Sequence, residues 1–161
     1  MKKKTLFFVM ALMAISLTPA QAAEYLDEAY SKEPACVSEQ NSAIDPVWTN
    51  LFCKRIDILW SHSTGGGTHS NQRGPRFVTK AFMIVSLSKG TINVTYAYDT
   101  NSDKGVMRDL VGTIKDEKMI IALNPVVRIE IEKPAGAINM RWIMDSETRG
   151  TFISTGTGTV R

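Results

Sequence analysis

The segment Ser61–Arg76 concentrates residues whose side chains could do chemistry. It contains both histidines of the chain, His62 and His69, and a run of three consecutive glycines lies between them. Histidine can bind a metal ion or accept a proton near neutral pH, and Arg73 and Arg76 could hold an anion. A protein metal site needs three or four ligands. Since this segment supplies only two, we predict neither a metal nor another cofactor.

Two interpretations of this segment remain open. Ordinary hairpin loops have about 2–5 residues, and much longer connections are frequently functional. The segment 61–76 could therefore fold over a bound ligand or partner, or it could be a plain solvated loop between the first two strands. Its glycines are not followed by the Gly-Lys-Ser/Thr sequence of a phosphate-binding loop.

Aromatic side chains form a second candidate site. Trp60, Tyr96, Tyr98 and Trp142 share the apolar phase of their predicted strands. In an open barrel, these rings would line a cavity and could stack on an apolar or sugar-like ligand. In a filled barrel they would be core, since eight strands enclose little spare volume.

Signals for catalysis or nucleic-acid binding are missing from the sequence. No Gly-x-Ser-x-Gly motif occurs, and the neighbours Ser61 and His62 do not by themselves form a triad. The chain has 19 basic and 16 acidic residues, but its three excess charges are Lys2, Lys3 and Lys4. The remainder is formally neutral and carries no basic stripe interleaved with aromatics. We therefore predict a protein that is not an enzyme and does not bind nucleic acid.

Residues 1–22 have the layout of a secretory signal peptide. Three lysines precede an apolar run, and the run ends in an Ala-Gln-Ala cleavage signal at residues 20–22. The run of about 12 residues is shorter than the 18–20 that a membrane-spanning helix requires. We expect cleavage near Ala22, a periplasmic or secreted product, and no transmembrane segment in the mature chain.

The two cysteines of the chain fit an oxidising compartment. Cys36 and Cys53 are the only ones, and export favours a disulfide between them. Closing a loop of this size stabilises the folded chain by roughly 3 kcal/mol in the simplest entropy model.

The sequence predicts helix and loop over residues 24–54. Asp45 suits a helix N-cap, and Pro46 suits the first helical position. A short helix there would act as a plug or brace on the main body, tied by the disulfide to the loop before it. Its apolar side chains would be Val47, Trp48, Leu51 and Phe52. Another short helix is predicted around residues 26–30, where Leu26, Ala29 and Tyr30 share one face.

From residue 55 onward the apolar pattern changes to a period of two, which indicates β-strands. Short links rich in Gly, Pro, Asn and Asp separate the runs, which favours an antiparallel meander. We predict an all-β domain over 55–161, an up-and-down barrel of about eight strands, with a β-sandwich as the alternative. The predicted strands cover residues 56–60, 76–88, 92–98, 107–115, 118–123, 127–132, 138–144 and 151–160.

The same region resembles the lipocalin-like, or calycin-type, small β-barrels of bacterial envelopes. The resemblance lies in Trp60 on the first strand, the turn at Lys89-Gly90, the run Val111–Asp116 and the closing strand Arg149–Phe152. It covers roughly residues 55–161. It implies binding of a ligand or partner rather than catalysis.

We therefore expect an exported, non-enzymatic binding protein of the bacterial envelope. Its site would be the barrel mouth together with the segment 61–76. The bound molecule would be a small apolar or sugar-like ligand or an envelope protein. The alternative is a periplasmic inhibitor or immunity-type protein that blocks a hydrolase, because loops on a rigid barrel can plug a cleft.

Overall fold

The computed structural model describes residues 19–66, 79–100, 103–147 and 150–161. In these ranges the chain forms two helices followed by eight strands. The helices are α1 (Pro19–Ser31) and α2 (Pro46–Thr49). The strands are β1 (Arg55–Gly66), β2 (Thr79–Ser88), β3 (Thr91–Asp99), β4 (Lys104–Lys115), β5 (Lys118–Asn124), β6 (Val127–Glu132), β7 (Ile138–Ser146) and β8 (Gly150–Val160).

The eight strands form one closed barrel in chain order. Each strand pairs antiparallel with the next, and β8 returns to pair with β1 from Ile56↔Val160 to Gly66↔Thr151. The predicted up-and-down barrel is thereby confirmed, and the sandwich alternative is wrong. Closure gives every strand two neighbours over at least part of its length, because the first and last strands pair with each other.

Alternation along each strand separates the barrel interior from its outer wall. On β1, Ile56, Ile58 and Trp60 are buried inside, while Leu59 faces outward and is 44% exposed. Residues of the other strands complete a single apolar core. The most fully buried of these are Met83, Val85, Met119, Ile121, Ile129 and Ile131.

Helix α2 plugs one end of the barrel, as the sequence predicted. Asp45 caps the helix by accepting a 2.9 Å hydrogen bond from the Val47 amide, and Pro46 occupies the first turn. Trp48, Leu51 and Phe52 then pack against the interior core. We call this the plugged end of the barrel.

The chain around the disulfide replaces a missing strand partner at the plugged end. Pairing between β1 and β2 stops at Arg55↔Ile84, so β2 continues without β1 beyond that point. There the Cys53 amide donates to the Val85 carbonyl at 2.8 Å, and the Glu39 amide donates to the Leu87 carbonyl at 2.9 Å. The disulfide Cys36–Cys53 joins these two segments, which confirms the predicted bond.

Helix α1 packs on the outer wall of the barrel. Leu26 and Ala29 cover Phe82 and Ala97, whose exposed fractions are both 0%. The helix begins at Pro19, earlier than the turn predicted around residues 26–30 and ahead of the predicted cleavage position. Among the described residues, neither helix has the length and apolar character that crossing a lipid bilayer requires.

Removing the disulfide should destabilise the plugged end. We predict that the double variant Cys36→Ser/Cys53→Ser loses about 3 kcal/mol of unfolding free energy, because the unfolded chain regains the entropy of an open loop. Urea denaturation followed by tryptophan fluorescence measures this loss. Reduction of the wild-type chain is the control and should produce a similar shift. An unchanged denaturation midpoint would contradict the bracing role of this bond.

Candidate functional site at the open end of the barrel

The two ends of the barrel are built differently. Opposite the plugged end, β1 leaves the barrel at Gly66 and β2 enters it at Thr79. The links from β3 to β4 and from β5 to β6 lie at this same end, since consecutive strands run antiparallel. We call it the open end, and it corresponds to the barrel mouth expected from the sequence.

Interior-facing side chains at the open end are only partly buried. They pack against the core below but keep part of their surface accessible, which contrasts with the fully buried layers nearer the plug. These side chains are Tyr98, Met107, Leu110, Leu123 and Trp142. Met144 and Phe152, which face each other across β7 and β8, are half-buried as well.

Trp60 and Tyr96 form the floor beneath these side chains. Each is only 4% exposed, and the Trp60 Nε1–H donates to the Tyr96 hydroxyl at 3.1 Å. Burial raises the pKa of Tyr96 to about 12, so its hydroxyl stays neutral. A Cβ atom added to Gly156 would lie 2.5 Å from the Trp60 ring, so this ring rests directly against the glycine. The interior at this level is filled by the two rings, and their polar atoms bond each other.

Tyr98 lies between the floor and the rim of the open end. Its ring stacks on Tyr96 with centroids 6.0 Å apart and planes 24° apart. Its hydroxyl donates to Asp103 Oδ2 at 2.9 Å, and this hydrogen bond raises the pKa of Tyr98. Trp142 lies on β7 between Ile129 and Ser154 in the strand register. Of the four aromatic residues singled out in the sequence, two therefore form the floor and two lie at the rim.

The histidine and arginine candidates are only partly within the described ranges. His62 lies in β1, opposite Thr155 of β8. The prediction that 61–76 is entirely a loop is wrong for residues 61–66, because β1 continues to Gly66 by pairing with β8. His69, Arg73 and Arg76 lie outside the described residues.

Strands β4 and β5 separate at the open end. In the β3–β4 register, Val94↔Leu110 is followed by Tyr96↔Met107, so β4 carries an extra residue in a bulge at Arg108 and Asp109. Asp109 has a left-handed backbone with φ of 57°. A bulge bends its strand and increases the local twist. Pairing of β4 with β5 is correspondingly limited to residues 112–115 of β4.

Sequence reasoning missed this bulge, although the sequence carries a signal for it. Met107 and Leu110 both face inward but are three residues apart, so the alternation of β4 fails between them. One inserted residue, as in a β-bulge, returns the following apolar side chains to the interior face after such a break.

The outer wall carries a cleft of about 300 Å³ between α1 and strands β1, β2 and β8. At its centre Arg55 is 9% exposed and contacts Asp27 at 2.6 Å and Asp57 at 2.7 Å. Burial lowers the pKa of Arg55, but the two carboxylates outweigh this effect and raise it. The guanidinium also lies over Tyr30 and Phe82. These charges tie α1 to the barrel, so we assign the cleft a structural role.

The outward-facing charged side chains of β5, β6 and β7 form ion pairs with one another. Glu130 is 8% exposed and accepts hydrogen bonds from Arg128, Lys118 and Arg141 at 3.0–3.4 Å. Burial raises the pKa of Glu130, yet the bonds from Arg128 and Lys118 prevail and lower it.

The open end therefore presents half-buried apolar side chains above the floor of Trp60 and Tyr96. In the described ranges no cluster of three or more metal-binding side chains occurs. No protein-family model matches the chain, and no significant match exists among curated proteins or solved structures.

The floor can be tested with Tyr96→Phe. This variant leaves the buried Trp60 N–H without its acceptor, so we predict a loss of about 1–3 kcal/mol in unfolding free energy at pH 7. The matched control is Tyr98→Phe, which removes a hydroxyl bonded to an exposed carboxylate and should cost less. Equal losses in urea denaturation would contradict the assignment of Tyr96 to the floor.

The same variant should change the alkaline stability. The folded-state pKa of Tyr96 is about 12 instead of 10. The stabilisation that neutral Tyr96 adds to the unfolding free energy is therefore complete below pH 10 and is lost as the pH rises through 12. Tyr96→Phe should weaken this alkaline loss. Unfolding curves collected between these pH values measure the difference.

Proposed function

We propose that the protein is an exported, non-enzymatic binding protein that holds a partner protein at the open end of its barrel. The observation that carries this proposal is the asymmetry of the two ends. One end is sealed by α2 and braced by the disulfide. The other end keeps half-buried aromatic and methionine side chains at its rim. Partly exposed aromatic rings and methionines are typical of protein-binding surfaces.

The filled floor favours a macromolecular partner over an enclosed small ligand. Trp60 and Tyr96 occupy the interior where a lipocalin-type ligand would sit. Above this floor the side chains of Tyr98 and Trp142 are half-buried. A partner protein can place one apolar side chain against them and make its remaining contacts with the surrounding rim. A small apolar or sugar-like ligand would have to bind with much of its surface still in water, which weakens binding.

Export is supported by the cysteine chemistry. The disulfide Cys36–Cys53 joins two segments that both contact β2, and such bonds persist in oxidising compartments. Together with the signal peptide predicted at residues 1–22, this favours the periplasm or the cell exterior as the place of action.

Inhibition of an envelope hydrolase is the form of partner binding that the rigidity of the scaffold favours. A barrel closed on itself and braced at one end loses little conformational entropy when its other end docks. An inhibitor or immunity-type protein benefits from such preorganisation. This candidate differs from other partner-binding roles in one measurable way, since a purified hydrolase partner should lose activity when the chain binds.

The proposal is tested by site-specific photo-crosslinking in the envelope of bacteria that express the chain. A benzoylphenylalanine placed at Trp142 should capture a defined protein partner. The matched control position is Val37, which is 81% exposed and precedes the plug, and it should not capture that protein. Binding of the purified partner should then weaken about 10–100-fold in Trp142→Ala, as expected for an aromatic hot spot.

Other outcomes would count against the proposal. Identical products at both positions, or none at Trp142, would contradict a partner site at the open end. A small molecule that co-purifies with the chain in native mass spectrometry, and is lost in Trp142→Ala, would replace the partner protein with a small ligand.

A further inference from the structure

The exposed edge of β4 at the open end suggests how a partner is held. We infer that residues 104–108, which we call the β4 edge, bind an extended segment of the partner protein by strand addition. This inference rests on the proposed function, because it names the recognition mode of the same open end.

Among the strands that the structure describes, only β3 pairs with the β4 edge. Within the described ranges, β4 pairs with β3 from Lys104 to Gly112, whereas its pairing with β5 covers only residues 112–115. β5 ends at Asn124, before the turn at Pro125, and in its register with β4 it does not reach residues 104–108. A strand in this situation presents a row of backbone donors and acceptors that another extended chain can satisfy.

The register identifies which backbone groups point outward. The Thr100 amide donates to the Asp103 carbonyl at 2.7 Å, so these two residues form a hydrogen-bonded pair. Pairs alternate along an antiparallel ladder between hydrogen-bonded and non-hydrogen-bonded types. The pairs of Lys104 with Asp99 and of Val106 with Ala97 are therefore of the non-bonded type. The backbone N–H and C=O groups of Lys104 and Val106 consequently point away from β3, toward the open edge.

The charged side chains of the β4 edge do not oppose the addition of another strand. Exposed edge strands are commonly protected by lysines and other charges that oppose added strands. Here Lys104 lies over the ring of Tyr25 at 4.7 Å, and Arg108 contacts Glu33 at 2.6 Å. Both cations are thus directed toward α1 and the residues after it, along the outer wall. The bulge at Arg108 and Asp109 bends the strand and limits the accessible edge to about five residues.

The side chains next to the β4 edge define the segment that would fit it. Gly105 and Met107 face the interior, and a Cβ atom at Gly105 would lie 3.1 Å from the Tyr98 hydroxyl. An added strand would place every second side chain beside these residues, above the floor, and the others in solvent. The occupant is therefore an extended segment of about five residues with alternating apolar and polar side chains.

The inference can be tested with peptides of random sequence. Phage-displayed twelve-residue peptides are selected on the full exported chain, and the best binder is synthesised. We expect an alternating apolar and polar consensus. We also expect the bound peptide to slow hydrogen exchange at the Lys104 and Val106 amides, observed by NMR. Binding should weaken at least tenfold in Val106→Pro, which removes the outward N–H, and remain within threefold of wild type in Val106→Thr.

A second pair of variants covers the case in which Val106→Pro does not fold. Lys104→Pro lies at the first residue of β4, where proline is tolerated, and Lys104→Thr is its control because both remove the lysine charge. Strand addition is overturned if neither proline variant weakens binding, if protection appears elsewhere, or if no peptide is enriched. If the chain dimerises and Lys104→Pro abolishes the dimer, the added strand comes from a second copy of this chain, and the claim of a separate partner protein is wrong.

The two proposals can fail separately. If Trp142→Ala abolishes peptide binding while both proline variants bind normally, strand addition is wrong but the open end remains the binding site. If the proline variants lose binding and Trp142→Ala does not, the β4 edge binds the peptide without the aromatic rim, and the proposed function loses its main support.

Discussion

Closure of the barrel between β1 and β8 is the constraint on which the rest of the structure depends. The pairing joins the two ends of the β-domain, and it brings Trp60 opposite Gly156 and Ile58 opposite Gly158. A Cβ atom at Gly156 would lie 2.5 Å from Trp60, and one at Gly158 would lie 2.8 Å from Met140 and 2.9 Å from Ile56. The two glycines thus create the space in which the large interior side chains of neighbouring strands pack. Bulkier residues at either position would force the core or the seam to shift.

The different ends of the barrel follow from how this core is completed. Below the floor, α2 and the residues that follow it supply Trp48, Leu51 and Phe52 as a final apolar layer. Above the floor, β4 is bulged at Arg108 and Asp109 and pairs with β5 only from Gly112 onward, and the interior side chains remain half-buried. The barrel therefore has one end covered by α2 and one end at which interior side chains are half-buried. Rigid scaffolds with accessible, irregular ends are well suited to recognition.

Local sequence signals predicted the features that depend on local chemistry. The cap at Asp45 and Pro46, the alternation of the strands and the pairing of Cys36 with Cys53 were all recognisable in the sequence. Features that depend on distant partners were not. β1 continues through a serine- and glycine-rich stretch because β8 supplies its hydrogen bonds, and intrinsic strand preference gives no hint of this. The β4 edge and the floor of Trp60 and Tyr96 likewise arise only once several strands share a register.

We propose that recognition takes place at the open end while the plugged end makes no contact with the partner. Hydrogen exchange of the full chain is followed by mass spectrometry with and without the purified partner that photo-crosslinking identifies. This experiment compares both ends of the barrel. We expect slower exchange at residues 104–107 when the partner is bound, with unchanged exchange at the plugged-end turns 89–90 and 116–117. Slower exchange confined to those turns, with none at 104–107, would contradict this proposal.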